Sequence, residues 1–273
     1  MDSLQGKVAL ITGSGRGIGR ELAIKLAANG ARLVINDLDA EPANETVALL
    51  KRSGAQAVAC VGSVTAPDFA DRFIRTAVDN FGGIDIIVNN AGYTWDSVIQ
   101  RMTDEQWYAI IDCHLTAPFR ILRAAYPVIS AAAKQEAAEG REVFRKVVNI
   151  SSNSGLNGNP GQANYAAAKA GLVGLTKTLA KEWGRIKVNV NCVAFGLIST
   201  RLTAADAHGG ATVNIEGKEL PVGVNPELLK SHASRCPLGR PGTAQEAAAG
   251  VYLYCGPESN YITGQVIAVS GGI

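Results

Sequence analysis

Lys7-Val8-Ala9-Leu10-Ile11-Thr12-Gly13-Ser14-Gly15-Arg16-Gly17-Ile18-Gly19 is the stretch that decides the fold. The apolar run from Lys7 to Thr12 reads as a strand and passes directly into a turn holding Gly13, Gly15, Gly17 and Gly19. From Gly17 to Asn29 the pattern becomes helical. A strand, a glycine-rich turn and a helix in that order set backbone N–H groups and the positive end of a helix around an anion. The glycines permit the tight turn and let the backbone approach a pyrophosphate. Taken alone, the same pattern also serves a close-packed βα junction.

Outward from this unit, short β-branched runs alternate with helical stretches. Strands are expected at Arg32 to Asn36, Gln56 to Val61, Lys146 to Ile150, Val188 to Val193 and Gln265 to Val269. Ile84 to Val88 is an unbroken apolar strand, of the kind buried on both faces of a parallel sheet. Helices are expected at Glu41 to Ser53, Pro67 to Asn80, Gln162 to Trp183 and Ala244 to Tyr254, with one long helix from Asp104 toward Ala137. The alternation predicts an α/β, doubly wound (Rossmann-type), parallel seven-stranded sheet with helices on both faces, as a single domain over 1–273. Ser130 to Arg141 reads as a solvated helix end and loop. Thr203 to Asn225, with His208-Gly209-Gly210 and Glu216-Gly217-Lys218, has no helical periodicity. It reads as the irregular part of a substrate lid inserted at about 196–237.

The 273 residues are 47% hydrophobic and 18% charged, which excludes a disordered chain. Twenty-six basic against 24 acidic side chains, with no basic stripe, give no case for nucleic acid or an anionic membrane as partner. The five cysteines (Cys60, Cys113, Cys192, Cys236 and Cys255) are widely separated, as expected of free thiols in a reducing compartment. No signal peptide and no apolar run near the ~20 residues of a membrane span is visible, so a cytoplasmic protein is expected. Three histidines without ligand spacing predict no metal site.

Asp37 ends the second strand about 20 residues beyond the glycine turn, where a carboxylate accepts hydrogen bonds from an adenosine ribose. Its charge opposes a 2′-phosphate, whereas Arg16 in the turn could pair with one. The carboxylate decides the expectation: NAD(H) is preferred, with NADP(H) possible. Tyr165 and Lys169, at i and i+4, share one face of a helix. An ammonium beside the phenol favours phenolate; a shift of about 3 units from its usual value near 10 corresponds to roughly 4 kcal/mol. Such a tyrosine can exchange a proton with a carbonyl oxygen. Ser152, thirteen residues before Tyr165, offers a hydroxyl to the same oxygen. Singly, these residues read more readily as an amphipathic coincidence and a strand-end cap.

Their order is less ordinary. The glycine turn, Asn89-Asn90-Ala91-Gly92 after the fourth strand, Ser152 and the Tyr165/Lys169 pair follow one another on the appropriate elements. Here the chain resembles the short-chain dehydrogenase/reductase family over essentially its whole length. Within that family, Gly161-Gln162-Ala163-Asn164-Tyr165-Ala166-Ala167-Ala168-Lys169-Ala170-Gly171, Arg101-Met102-Thr103-Asp104-Glu105-Gln106-Trp107 and Tyr261-Ile262-Thr263-Gly264 are similar to the 3-oxoacyl-[acyl-carrier-protein] reductases.

The resemblance implies Tyr165 as general acid/base, Lys169 as its partner and Ser152 as substrate orienter. It implies cofactor contacts from Gly13, Arg16, Gly17, Ile18, Gly19, Asp37, Ser63, Val64, Asn90, Ala91 and Gly92, from Tyr165 and Lys169 themselves, and from Gly196, Ile198 and Thr200. His114 stands where relatives carry a relay asparagine, so it is a fourth catalytic candidate with packing as the alternative. Ser63 replaces the usual acidic adenine contact, and Phe195 replaces a proline, reshaping the nicotinamide pocket or simply packing. Tyr93 and Trp95 are candidates to line the cleft. The activity implied is hydride transfer between a nicotinamide cofactor and a 3-oxoacyl or 3-hydroxyacyl thioester. A dehydrogenase of a steroid, sugar or other secondary alcohol, and a regulatory cofactor-binding protein without turnover, are the alternatives. A homotetramer packed through the Asp104 helix, the Gln162 helix and Gly264 to Ile273 is also implied.

Overall fold

The computed structural model describes residues 3–204 and 211–273; His208 and its two following glycines lie outside the described residues. Alternate residues along each strand face opposite layers. Ala9 and Ile11 of β1 (Val8–Ile11) pack on one face, against α1 (Gly17–Ala27), α2 (Ala40–Arg52) and α9 (Ala244–Tyr252). Val8 and Leu10 pack on the other, against α3 (Phe69–Phe81), α5 (Ala117–Ala138) and α7 (Ala163–Trp183). The remaining strands are β2 (Arg32–Ile35), β3 (Ala57–Ala59), β4 (Ile86–Asn89), β5 (Arg145–Ser152), β6 (Val188–Phe195) and β11 (Val266–Val269). They form the expected seven-stranded sheet in the order β11-β6-β5-β4-β1-β2-β3, every pairing parallel. Strand order reverses between β1 and β4, opening a crevice beyond their C-terminal ends.

Two segments depart from the sequence reading. The single long helix is instead α4 (Asp104–Ile111) and α5, joined by a π-helical turn at Asp112–Thr116. The wider turn lets two consecutive residues, Cys113 and His114, both enter the interior. The irregular stretch contains an antiparallel hairpin, β8 (Thr212–Ile215) and β9 (Lys218–Pro221), followed by α8 (Pro226–Arg235). Its two-residue loop, Glu216-Gly217, has φ of 53° and 83°, the sign pattern of a type I′ turn that matches the twist of paired strands. A short parallel bridge of β7 (Ile198–Ser199) with β10 (Gly242–Thr243) ties the start of this region to the body.

All five cysteines are free and buried. Among the described residues no helix is long and apolar enough to cross a membrane.

Candidate active site

The glycine turn is held from β4. Asn90 donates from Nδ2 to the carbonyls of Thr12 (2.9 Å) and Gly13 (3.0 Å), and the Thr12 hydroxyl accepts from the Asn90 and Ala91 N–H groups. Gly19 lies so close beneath that a Cβ there would stand 2.3 Å from the Gly13 carbonyl and 2.7 Å from Asn90 Nδ2. No side chain caps α1, and no acid occupies its first turn. Its N-terminal dipole and amides therefore face the crevice without competition.

A cavity of about 700 Å³ occupies that crevice. Of the predicted contacts, Gly13, Arg16, Gly17, Ile18, Asp37, Ser63, Val64, Asn90, Ala91, Gly92 and Thr200 line it. Gly19, Gly196 and Ile198 do not; Gly19 supports the turn, Gly196 packs on Ser270, and Ile198 is buried in β7. Asp37, 7% exposed, is reached by Arg16 Nη2 at 3.5 Å, and the same nitrogen stands 2.6 Å from Asp39. Two carboxylates thus engage one guanidinium, an arrangement that the sequence reading, which set Arg16 against Asp37 alone, did not contain. Burial pushes the Asp37 carboxyl up, while the Asp39 amide and Arg16 hold it down. Arg16 Nε is a buried donor without a partner among the described residues. An open helix terminus, that orphaned donor, a turn too tight for a Cβ at Gly19 and a carboxylate at the second strand's end together fit a dinucleotide.

Behind the cavity stands the predicted chemistry. Ser152 ends β5 and caps the one-turn α6 (Asn153–Asn157), its Oγ accepting from the Ser154 amide at 3.2 Å. Tyr165 and Lys169 project from the first turns of α7. That helix is registered by buried Asn164, whose Nδ2 donates to the carbonyls of Trp95 (3.2 Å) and Gln106 (3.0 Å). Lys169 Nζ donates to the Ile150 carbonyl at 2.6 Å and lies 5.5 Å from the Tyr165 ring centre. The sequence expectation for this phenol weighed the ammonium and left burial out. Burial pushes Tyr165 up to about 12, with a hydrogen bond to Ser152 working against it. Burial also lowers Lys169 to about 8. These three do not line the cavity itself; Tyr93 and Cys113, neighbours of His114, do.

His114 is 2% exposed and meets Tyr165 edge to face, with ring centres 5.0 Å apart. Its Nε2 stands 2.7 Å from the Tyr93 carbonyl and 3.3 Å from the Tyr93 N–H; the carbonyl contact is the shorter and can only accept, which assigns the proton to Nε2. Nδ1 is then a buried acceptor without a partner among the described residues. Burial and the nearby Lys169 hold the imidazole well below its usual pKa, so the ring is neutral. A Cβ on Gly92 would fall 2.1 Å from His114 Cε1: the ring sits where residue 92 has no side chain. Phe195, 7% exposed, belongs to the core beneath α9, which is the packing alternative. Trp95 lies under Lys218 of the hairpin, 5.0 Å from its Nζ.

A family model described as short chain dehydrogenase matches residues 7–209. The chain belongs to the short chain dehydrogenase family. As a short chain dehydrogenase it is a nicotinamide-dependent oxidoreductase, and the glycine turn, Ser152, Tyr165 and Lys169 all fall within the matched span. The chain is similar to a 3-oxoacyl-[acyl-carrier-protein] reductase of Synechocystis, 38% identical over 275 residues covering 100% of this chain and 99% of the relative. It is also 37% identical to the Vibrio cholerae protein of that name over 271 residues, covering 99% and 98% of the two chains. The Thermotoga maritima protein of that name is 36% identical over 270 residues, again covering 99% and 98%.

Sequence reasoning missed three contributors to this dehydrogenase's site: Asp39, Cys113 and Glu216. Asp39 carried a signal, two residues past Asp37. Cys113 carried none, because its inward turn depends on the π-helical geometry. Glu216-Gly217 between two alternating stretches was a hairpin signal, obscured because glutamate is not a usual residue of such turns.

Proposed function

We propose that this short chain dehydrogenase reduces a 3-oxoacyl thioester with NADH, and the observation that carries the reading is the half-buried Tyr165 beside Ser152 and the buried Lys169. The relatives' shared name, 3-oxoacyl-[acyl-carrier-protein] reductase, supports the substrate class. When bound, the cofactor supplies the hydride. Ser152 Oγ orients the carbonyl oxygen by donating to it. Tyr165, kept protonated by burial, delivers its proton to that oxygen. Lys169, at the edge of the phenol, stabilises the charge left behind. His114 fixes the Tyr165 ring and the Tyr93 backbone as a positioning residue. The NADH preference rests on Asp37 and on Arg16 being already paired with two carboxylates. The region at about 196–237, within the single 1–273 domain, serves as the lid over the thioester.

The test is steady-state reduction of acetoacetyl-CoA with NADH and NADPH by wild type and Tyr165→Phe. Wild type is expected to favour NADH by about tenfold or more in kcat/KM. Loss of the phenol hydroxyl is expected to lower kcat by about 10²–10⁴-fold with NADH binding unchanged. Full turnover by Tyr165→Phe would refute the proton-transfer role, and a preference for NADPH would refute the cofactor assignment.

A further inference from the structure

The hairpin of β8 and β9 reaches across the cavity to the ends of β2 and β3. At its tip, one carboxylate oxygen of Glu216 accepts from the hydroxyls of Ser63 and of Thr65, the latter at 3.2 Å. Its second oxygen has no hydrogen-bond partner among the described residues, and Glu216 lines the same cavity as Asp37, Leu38 and Val64. The residue holds φ of 53°, a left-handed conformation that a non-glycine residue adopts at some cost. On the opposite side the hairpin is fastened by Lys218, whose Nζ stands 2.5 Å from Glu105 of α4. The carboxylate is therefore held over the cavity from both flanks.

Chemistry says what meets it there. With phosphates at the α1 terminus and a ribose at Asp37, the base of the adenosine half falls to the cavity wall formed by the residues that follow β2 and β3, Leu38 and Val64 among them. A purine base offers flat apolar faces to Leu38 and Val64 and a polar edge carrying an exocyclic amine. We propose that Glu216 is the residue that reads the adenine, its free oxygen accepting a hydrogen bond from the exocyclic amine while Ser63 and Thr65 hold the carboxylate in place. This rests on the nicotinamide-cofactor reading above. It gives the hairpin a role in recognising the cofactor as well as covering the substrate.

The probe is the pair NADH and its deamino analogue, in which hypoxanthine replaces adenine and an oxygen acceptor replaces the amine. Binding is read by fluorescence titration in the absence of substrate, so turnover plays no part. Wild type is expected to bind NADH about tenfold or more tightly than the deamino analogue, because the analogue turns an acceptor toward a carboxylate. Glu216→Gln is expected to abolish or reverse that preference, its amide offering a donor as well. Glu216→Asn, whose side chain is too short to reach but suits the positive-φ turn, is expected to weaken NADH alone. Equal binding of both dinucleotides by wild type, or variants that weaken both in the same proportion, would overturn the role of Glu216 and leave the cofactor reading standing. No NADH binding by wild type would overturn both.

Discussion

Lys146 and Lys169 are 4% and 3% exposed, and burial holds each near 8 against 10.5 for a free lysine. Below pH 8 both states carry the charge, and the native state bears the full cost of burying it. Between pH 8 and 10.5 the unfolded chain binds protons that the native state does not, so this contribution to stability rises with pH. Buried thiols act in the opposite sense. Cys113, Cys192 and Cys255, raised from 9.0 to about 12, 11 and 12, stay protonated when folded and ionise when unfolded, lowering stability above pH 9. By pH 9 each lysine contributes roughly 1 kcal/mol, about half of the total being offset by the thiols. The urea midpoint of unfolding is expected to climb between pH 7.5 and 9 and to fall beyond it. Lys146→Met, which leaves the crevice untouched, should climb less; a wild-type midpoint that declines steadily across that span would contradict the linkage.

Between elements, the closest interlock is that of the loop after β4 with the π-helical turn, where the His114 ring fills the space beside Gly92. A methyl group at 2.1 Å from Cε1 forces either the ring or the loop to move. Gly92→Ala is therefore expected to lower kcat/KM by about tenfold or more, and combination with His114→Ala to restore part of the loss. A double-mutant cycle should show coupling of about 1 kcal/mol or more. Additive effects would show that the two elements are not locked together. This interlock also marks the boundary of what the sequence reveals. Strands were legible because short apolar runs such as Val8-Ala9-Leu10-Ile11 alternate with helical stretches, and Ser152, Tyr165 and Lys169 because their order along the chain is informative. The π-helical turn was not legible, since local propensity there is helical and the extra width is imposed by packing. Nor was the burial around the Tyr165 phenol: spacing shows that Lys169 is near, but not how far the fold withdraws the ring from water.

For the whole molecule, large apolar side chains remain uncovered at the periphery. Phe119 of α5 is 45% exposed, and Tyr261, Ile262 and Ile273 near the C-terminus are exposed as well, whereas the exposed Tyr108 of α4 faces the cavity. We propose a homotetramer for this dehydrogenase, packed through the Asp104 helix, now α4 and α5, through α7 and through Gly264 to Ile273; Phe119 and Ile273 support it, while α7 exposes no large apolar side chain among the described residues. Light scattering is expected to give four times the mass of the 28.5 kDa chain, and a monomer at micromolar concentration would refute it.

One strand joins the two ends of the molecule. β5 begins at Arg145, whose guanidinium makes paired hydrogen bonds to Glu136 at 2.7 and 2.8 Å and a third to the Ile84 carbonyl. It finishes at Ser152, about 23 Å away at the usual rise per residue. Substitutions that reshape the Ser152 end for a new substrate tend to weaken the fold. Improvements around the Arg145 end can compensate without approaching the reacting atoms. The strand thus gives a lineage room to change its specificity: adaptation proceeds at one terminus while robustness accumulates at the other.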